Sequence, residues 1–250
     1  MSELPILVVE HEDQCPPGWM GEWLVDAGAS LDVRRPYAGD PLPEHLSEHS
    51  GLLVLGGELG AHDDEAGPWL TDVKRLVAAS VAAGPPVLGI CLGHQLVAVA
   101  LGGDAEVNPR GQQIGVLDVG FTVEEYHDPQ RGVVPSAAGP APAVQWNNDV
   151  VTGLPPGAVE LARTGRGELQ AARFGPQVWG VQWHPEVGVE ILRAWADHDR
   201  DDALERGVDV DRHLADVAAA HDRLRAAWRP LATRFAELCR ENRPVEMADR

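Results

Sequence analysis

A cysteine stands between two glycines in Gly89-Ile90-Cys91-Leu92-Gly93-His94-Gln95, directly after an apolar run and before a helical pattern reaching Leu101. This is the layout of a nucleophile elbow with sulfur in place of a serine hydroxyl. The flanking glycines permit a sharp strand-to-helix turn and close approach of a substrate. The helix N-terminus supplies free N–H groups and a positive dipole end, both of which favour thiolate over thiol. Cys15 and Cys239 lack such a setting and read as inert.

A thiolate nucleophile needs a base, and Val181-Gln182-Trp183-His184-Pro185-Glu186 offers one at the end of another strand candidate. His184 is the expected base. Glu186 lies two positions on, a spacing that keeps both side chains on one side of an extended chain. Its carboxylate can bond the far imidazole nitrogen and fix tautomer and orientation. Acyl transfer also needs donors for an oxyanion. Gly56-Gly57 ends a further apolar run, and a parallel sheet would carry it beside the elbow. The N–H groups of Gly57 and Leu92 are the expected pair.

Three short apolar runs, at 4–9, 51–57 and 86–91, suit strands buried on both faces. Helical patterns separate them, a short one at 21–27 and a longer one at 68–83 with Pro68 in its first turn. Strand, helix, strand in this order means a parallel sheet. Past Gly102-Gly103 come shorter strand candidates at 114–119, 159–163, 168–174 and 178–183, consistent with a mixed or antiparallel extension. Pro135 to Pro142 reads as a surface loop. From Val208 to Arg240 an apolar stripe of Leu214, Val217, Leu224, Trp228, Leu231, Phe235 and Leu238 predicts two helices divided or kinked at Pro230.

Composition removes several alternatives. The 250 residues carry 39 acidic and 20 basic side chains, a formal charge of −19, which repels nucleic acid and anionic membrane. Lys74 is the single lysine, so Schiff-base chemistry and a P-loop have one candidate and no fitting motif. The three cysteines form no CxxC pair, which argues against a disulfide framework or zinc knuckle and fits a reducing cytosol. No run approaches the ~18 apolar residues of a membrane span. A cytoplasmic protein is expected, with no cofactor and no metal. His62-Asp63-Asp64-Glu65 reads as a solvated loop rather than a ligand cluster, and Asp197 to Asp202 as an exposed charged turn. Trp69, Trp195 and Trp228 read as core residues of helices.

Taken together, GICLGHQ, the VLGG strand end and VQWHPE resemble the class I, triad-type glutamine amidotransferases. His11, Gly39-Asp40, GGELGAHDDEAGPWL at 56–70 and ALGG at 100–103 are similar to the stand-alone group related to the amidotransferase domain of GMP synthetase. The resemblance implies a flavodoxin-like three-layer α/β sandwich with a mostly parallel central sheet, here over residues 1–205. The apolar stripe beyond the shared motifs predicts a C-terminal helical extension over 206–250 that packs on this domain, the alternative being a dimer or synthetase interface. It implies attack on the side-chain amide of glutamine, release of ammonia and hydrolysis of a γ-glutamyl thioester. Cys91, His184 and Glu186 match the triad, Gly57 and Leu92 the oxyanion positions, and Gln95 a substrate-contacting glutamine. Two positions depart from the group. Gln113 stands where a glutamate is common, and Trp146-Asn147-Asn148-Asp149 lacks a histidine often found in that loop.

The leading expectation is a glutaminase feeding a separate synthetase or ammonia acceptor, since no room for an ATP-binding domain follows position 190. The alternatives are a γ-glutamyl hydrolase or peptidase acting on a γ-glutamyl amine or conjugate, and a non-catalytic regulatory protein that keeps the fold. Self-association is left open.

Overall fold

A computed structural model describes residues 4–121 and 140–242. Its strands are β1 (Ile6–Val9), β2 (Leu31–Arg34), β3 (Gly51–Val54), β4 (Val87–Ile90), β5 (Asp104–Val107), β6 (Gln113–Phe121), β7 (Ala141–Asn147), β8 (Asp149–Gly153), β9 (Val159–Thr164), β10 (Leu169–Gly175) and β11 (Val178–Val181). Its helices are α1 (Gly18–Asp26), α2 (Trp69–Ala83), α3 (Leu92–Ala100), α4 (Val189–His198), α5 (Arg200–Glu205) and α6 (Val210–Glu241).

The apolar runs are continuous because each strand is covered on both sides. In β1, Ile6 and Val8 face one apolar cluster while Leu7 and Val9 face the other. Leu70, Val73, Leu76 and Val77 of α2 and Leu96 and Val97 of α3 complete the second cluster. Residues of α1, α4 and α6 complete the first. The result is a three-layer, flavodoxin-like α/β sandwich. Nine strands form the main sheet in the order β2-β1-β3-β4-β11-β10-β9-β6-β7, and β5 pairs with β8 apart from it. From β2 through β11 neighbouring pairs are parallel, and beyond β11 they are antiparallel. Both the parallel core and the antiparallel extension agree with the sequence reading.

Adjacent parallel strands β3, β4 and β11 therefore end side by side. The chain leaves β3 at Gly56-Gly57, β4 at Cys91, and β11 toward His184 and Glu186, so three distant sequence segments meet at one sheet edge. This is where open α/β sheets bind ligands.

Two expectations need correction. Residues 210–241 form one helix rather than two, with Pro230 inside it. Leu224, Trp228, Leu231 and Phe235 lie on its buried face, whereas Ala226 and Pro230 face solvent. Water can thus satisfy the carbonyl that the proline leaves without a partner. Burying each large side chain contributes ~1.5–3 kcal/mol, which together outweighs the ~3 kcal/mol cost of a mid-helix proline. Trp228 adds a bond from Nε1 to the Pro142 carbonyl at 2.8 Å. The second correction is at Asp197 to Asp202: rather than a plain exposed turn, the chain ends α4 and begins α5 there. The 135–142 segment expected as a loop lies outside the described residues through position 139, and Ala141 already begins β7.

Candidate active site

Cys91 caps the N-terminus of α3 with φ 51° and ψ −109°, and it is the one non-glycine residue with positive φ among the described residues. Such a conformation costs ~1–3 kcal/mol and persists only where the surroundings impose it. Those surroundings are tight. Any β-carbon on Gly93 would collide with the Val54 carbonyl, and one on Gly89 would run into the backbone of Gly93 and His94. Cys91 N–H donates to Val181 O at 2.9 Å and Gly93 N–H to Leu55 O at 3.1 Å, fastening the turn to β11 and to the end of β3.

The His184 ring is 3% exposed, and its Nδ1 lies 2.7 Å from Glu186 Oε1. Its Nε2 has no hydrogen-bond partner among the described residues. Trp195 packs edge-on against the imidazole, with ring centroids 4.7 Å apart, and donates Nε1 to Gln14 O at 2.8 Å. The backbone is held too: His184 N–H donates to Val144 O at 2.8 Å, and Trp19 N–H donates to Glu186 O at 2.9 Å. That last bond places the start of α1 against the third triad candidate. Gly18, at φ 43°, lies so close to the Glu186 carbonyl that no side chain fits.

Burial by itself opposes charge on His184. The Glu186 carboxylate and the sulfur of Cys91 outweigh it, so the imidazole pKa is raised. An imidazolium beside the cysteine is the favoured state. The other thiols differ in kind. Burial, reinforced by Glu12, drives the Cys15 thiol upward, and Cys15 Sγ donates to Glu12 Oε1 at 2.9 Å. Burial pushes Cys239 up to about 12. Neither is prepared to ionise.

Gly56 lies against both the Cys91 and the His184 side chains: a β-carbon on it would come 3.1 Å from His184 Cε1 and 3.5 Å from Cys91 Cβ. A β-carbon on Gly57 would meet His11 Cβ at 2.9 Å and Leu92 Cδ2 at 3.1 Å. The structure thus brings Cys91, His184, Glu186, Gly57 and Leu92 together at one place. Leu92 opens α3, and a first-turn N–H has no acceptor within its own helix.

Gln95 also borders the site, but its amide is engaged inward. Nε2 donates to the Asp149 carbonyl at 3.0 Å and to Gln182 Oε1 at 3.2 Å. Gln182, missed from the sequence, sits beside Cys91 with Nε2 3.5 Å from its Sγ. Its signal was available, because it precedes His184 by two positions on the same extended segment. Gln113 is buried and receives Asn147 Nδ2 and Gln170 Nε2, each at 3.2 Å. The 146–149 segment, read from sequence as a loop, is instead the tight junction where β7 ends and β8 begins, and it is anchored by Trp146 Nε1 donating to Asp199 Oδ2 at 2.8 Å.

A cleft of about 660 Å³ opens over Cys91 and His184. Six carboxylates line it, from Glu12, Glu58, Asp63, Glu106, Asp149 and Asp199, against one arginine, Arg206. In the 62–65 segment, His62 pairs with Asp104 at 2.9 Å and Asp64 with Lys74 at 2.6 Å. No group of three or more metal-ligating side chains converges among the described residues. Nor is any described helix long and apolar enough to cross a membrane. Trp195 and Trp228 are core residues as expected, and Trp195 is in addition part of the site wall.

Comparison with known proteins bears on this site. Residues 22–192 match the sequence model of the family described as glutamine amidotransferase class-I. One subunit of the glutamine-hydrolyzing GMP synthase of Methanosarcina barkeri is 36% identical over 202 residues, spanning 77% of this chain and 95% of that one. The glutamine amidotransferase-like protein YfeJ of Salmonella typhimurium is 29% identical, over 84% of this chain and 88% of its own. The crystal structure of a glutamine amidotransferase from Thermotoga maritima superposes with a TM-score of 0.83 at 25% identity, covering 95% of this chain and all of that one.

Proposed function

Because the chain belongs to the class-I glutamine amidotransferase family, we propose that it hydrolyses the side-chain amide of glutamine through a γ-glutamyl thioester on Cys91. The observation that carries this reading is the geometry at the sheet edge, where a strained elbow cysteine meets a histidine whose far nitrogen is 2.7 Å from Glu186.

The Cys91 thiolate attacks the amide carbon, and the carbonyl π electrons move onto oxygen. The N–H groups of Gly57 and Leu92 stabilise that oxyanion. His184, protonated at Nε2, gives its proton to the nitrogen as the C–N bond breaks, and ammonia leaves. Neutral His184 then takes a proton from water as the oxygen attacks the thioester. The second tetrahedral intermediate expels the thiolate and yields glutamate. Glu186 keeps Nδ1 protonated throughout, so Nε2 is the nitrogen that exchanges the proton.

The relatives described as one subunit of GMP synthase support a separate synthetase polypeptide as consumer of the ammonia. In this reading residues 1–205 form the catalytic domain and 206–250 its helical extension. One observation favours a second reading, hydrolysis of a γ-glutamyl amine. The cleft falls within the ~300–1,000 Å³ of small-molecule sites and admits a leaving group larger than ammonia, and its carboxylates suit a cationic one.

The test is to incubate the purified protein with glutamine and with a panel of γ-glutamyl amines, measuring released ammonia or amine. Glutamine turnover, alone or on addition of a synthetase partner, supports the amidotransferase. Strong turnover of a conjugate with none of glutamine supports the second reading. Inertness toward all of them contradicts both.

A further inference from the structure

Cys91 Sγ has a polar neighbour besides His184. Gln182 Nε2 lies 3.5 Å from it, and the Gln182 side chain is completely buried. A carboxamide can present either its oxygen or its NH2 group, so which end faces the sulfur depends on what the other end meets. Here a backbone carbonyl decides. Asp149 O can only accept, and it takes Gln95 Nε2 at 3.0 Å. The Gln95 NH2 group is therefore turned inward, and it also meets Gln182 Oε1 at 3.2 Å. That commits the Gln182 oxygen to Gln95 and leaves its NH2 group for Cys91.

The same carbonyl is held from a second side. Asn147 Nδ2 donates to Asp149 O at 2.9 Å and to Gln113 Oε1 at 3.2 Å, and Gln170 Nε2 donates to Gln113 Oε1 at 3.2 Å. Each amide thus fixes its neighbour's orientation, and one pointing the wrong way would leave a buried donor facing a donor.

We propose that Gln182 is an N–H donor to the nucleophile that stabilises the Cys91 thiolate and aims its sulfur, and that Gln95 is the positioning residue that sets the polarity of Gln182. The proposal rests on the reading of Cys91 as the nucleophile. A donor to the charged form favours that form. This one persists when His184 has given up its proton, so it is in place when the thioester breaks and the thiolate is expelled. It also gives Gln95, whose amide is engaged within the protein, a role that needs no direct contact with substrate.

The test is the pH dependence of Cys91 alkylation by iodoacetamide without substrate, followed by peptide mass, in wild type, Gln182→Met, Gln182→Glu and Gln95→Met. The expected midpoint rises by about one pH unit in Gln182→Met and further in Gln182→Glu, where a carboxylate replaces the donor. It rises in Gln95→Met as well, because the Gln182 amide is no longer held in one orientation. A role confined to packing would leave the midpoint alone. Unshifted midpoints in the variants, with a normal wild-type profile, overturn the inference and spare the nucleophile. A wild-type Cys91 that resists alkylation at every pH overturns both. Should the Gln182 variants not fold, the Gln95→Met midpoint decides by the same criterion.

Discussion

The carboxylate of Glu186 and the imidazole of His184 meet at 2.7 Å with both side chains buried, so Nδ1 is occupied and Nε2 is the ring nitrogen left without a partner among the described residues. An orienting partner contributes less than the groups that make and break bonds. Glu186→Gln is therefore expected to lower kcat by about two orders of magnitude less than Cys91→Ala or His184→Ala. All three proteins should fold, because none opens a large apolar cavity. Steady-state kinetics on whichever γ-glutamyl compound is turned over checks this, and a His184→Ala protein with wild-type kcat would sink the assignment.

The elbow depends on backbone proximity rather than on side chains. Since a β-carbon on Gly93 would strike the Val54 carbonyl, Gly93→Ala has to displace β3 or the start of α3. The expected loss is about 1–3 kcal/mol or more in urea unfolding, together with most of the activity. A protein of unchanged stability and kcat would mean that the turn has slack that this geometry denies.

Helix α6 runs through Pro230 on its solvent face, so the proline contributes little to packing and still weakens the helix. Pro230→Ala should raise stability by about 1–2 kcal/mol, part of the mid-helix penalty being offset by greater freedom of the unfolded chain. Trp228→Ala should lower it by about 3–5 kcal/mol, since its buried ring packs at a tilt against Trp183 with centroids 4.6 Å apart. Thermal unfolding distinguishes them. A destabilised Pro230→Ala protein would show that the packing of α6 relies on the proline.

Buried neutral histidines make the fold acid-sensitive. Burial lowers His94 to about 3 and His11 to about 4, below the ordinary 6.5. Below pH 6.5 the unfolded chain binds protons that the folded chain refuses, so stability falls as pH drops through that window and levels off below the folded values. Each group contributes a slope of about 1.4 kcal/mol per pH unit. His184, with its raised pKa, stays protonated in the fold, so it adds no slope well below 6.5 and opposes the trend only as the pH approaches 6.5, equally in wild type and variant. Urea unfolding of wild type and His94→Gln between pH 4 and 6.5 should show the shallower slope in the variant. Equal slopes would contradict the assignment of His94 as a proton-refusing core residue.

The parts of the fold that were legible from sequence share a physical cause. β1, β3 and β4 lie between helices on both faces, so their residues must be apolar throughout, and glycines mark where the chain turns at the sheet edge. The same edge made Cys91, Gly57 and His184 visible. Edge strand β2 is only half-buried and carries Asp32 and Arg34, paired to each other at 2.8 Å, so its apolar signal is weak. β7 was hidden for a different reason. Its Gln145 and Asn147 are buried because they bond to other amides, which no periodicity of apolar residues reports. Gln182 stands in view two positions before His184, but nothing local shows its partner, Cys91, 91 positions away. The continuation of α6 past Pro230 was illegible because it depends on which face the proline occupies, a matter that tertiary packing decides.

The central claim, that Cys91 is the covalent centre, is tested most directly by treating the folded protein with a glutamine-analogue electrophile and mapping the modified peptide by mass. Elbow geometry, the α3 N-terminus and a raised-pKa His184 predict a single adduct on Cys91, formed well before any at Cys15 or Cys239, whose buried thiols are held protonated. An adduct on Cys15 or Cys239 while Cys91 stays free would contradict it.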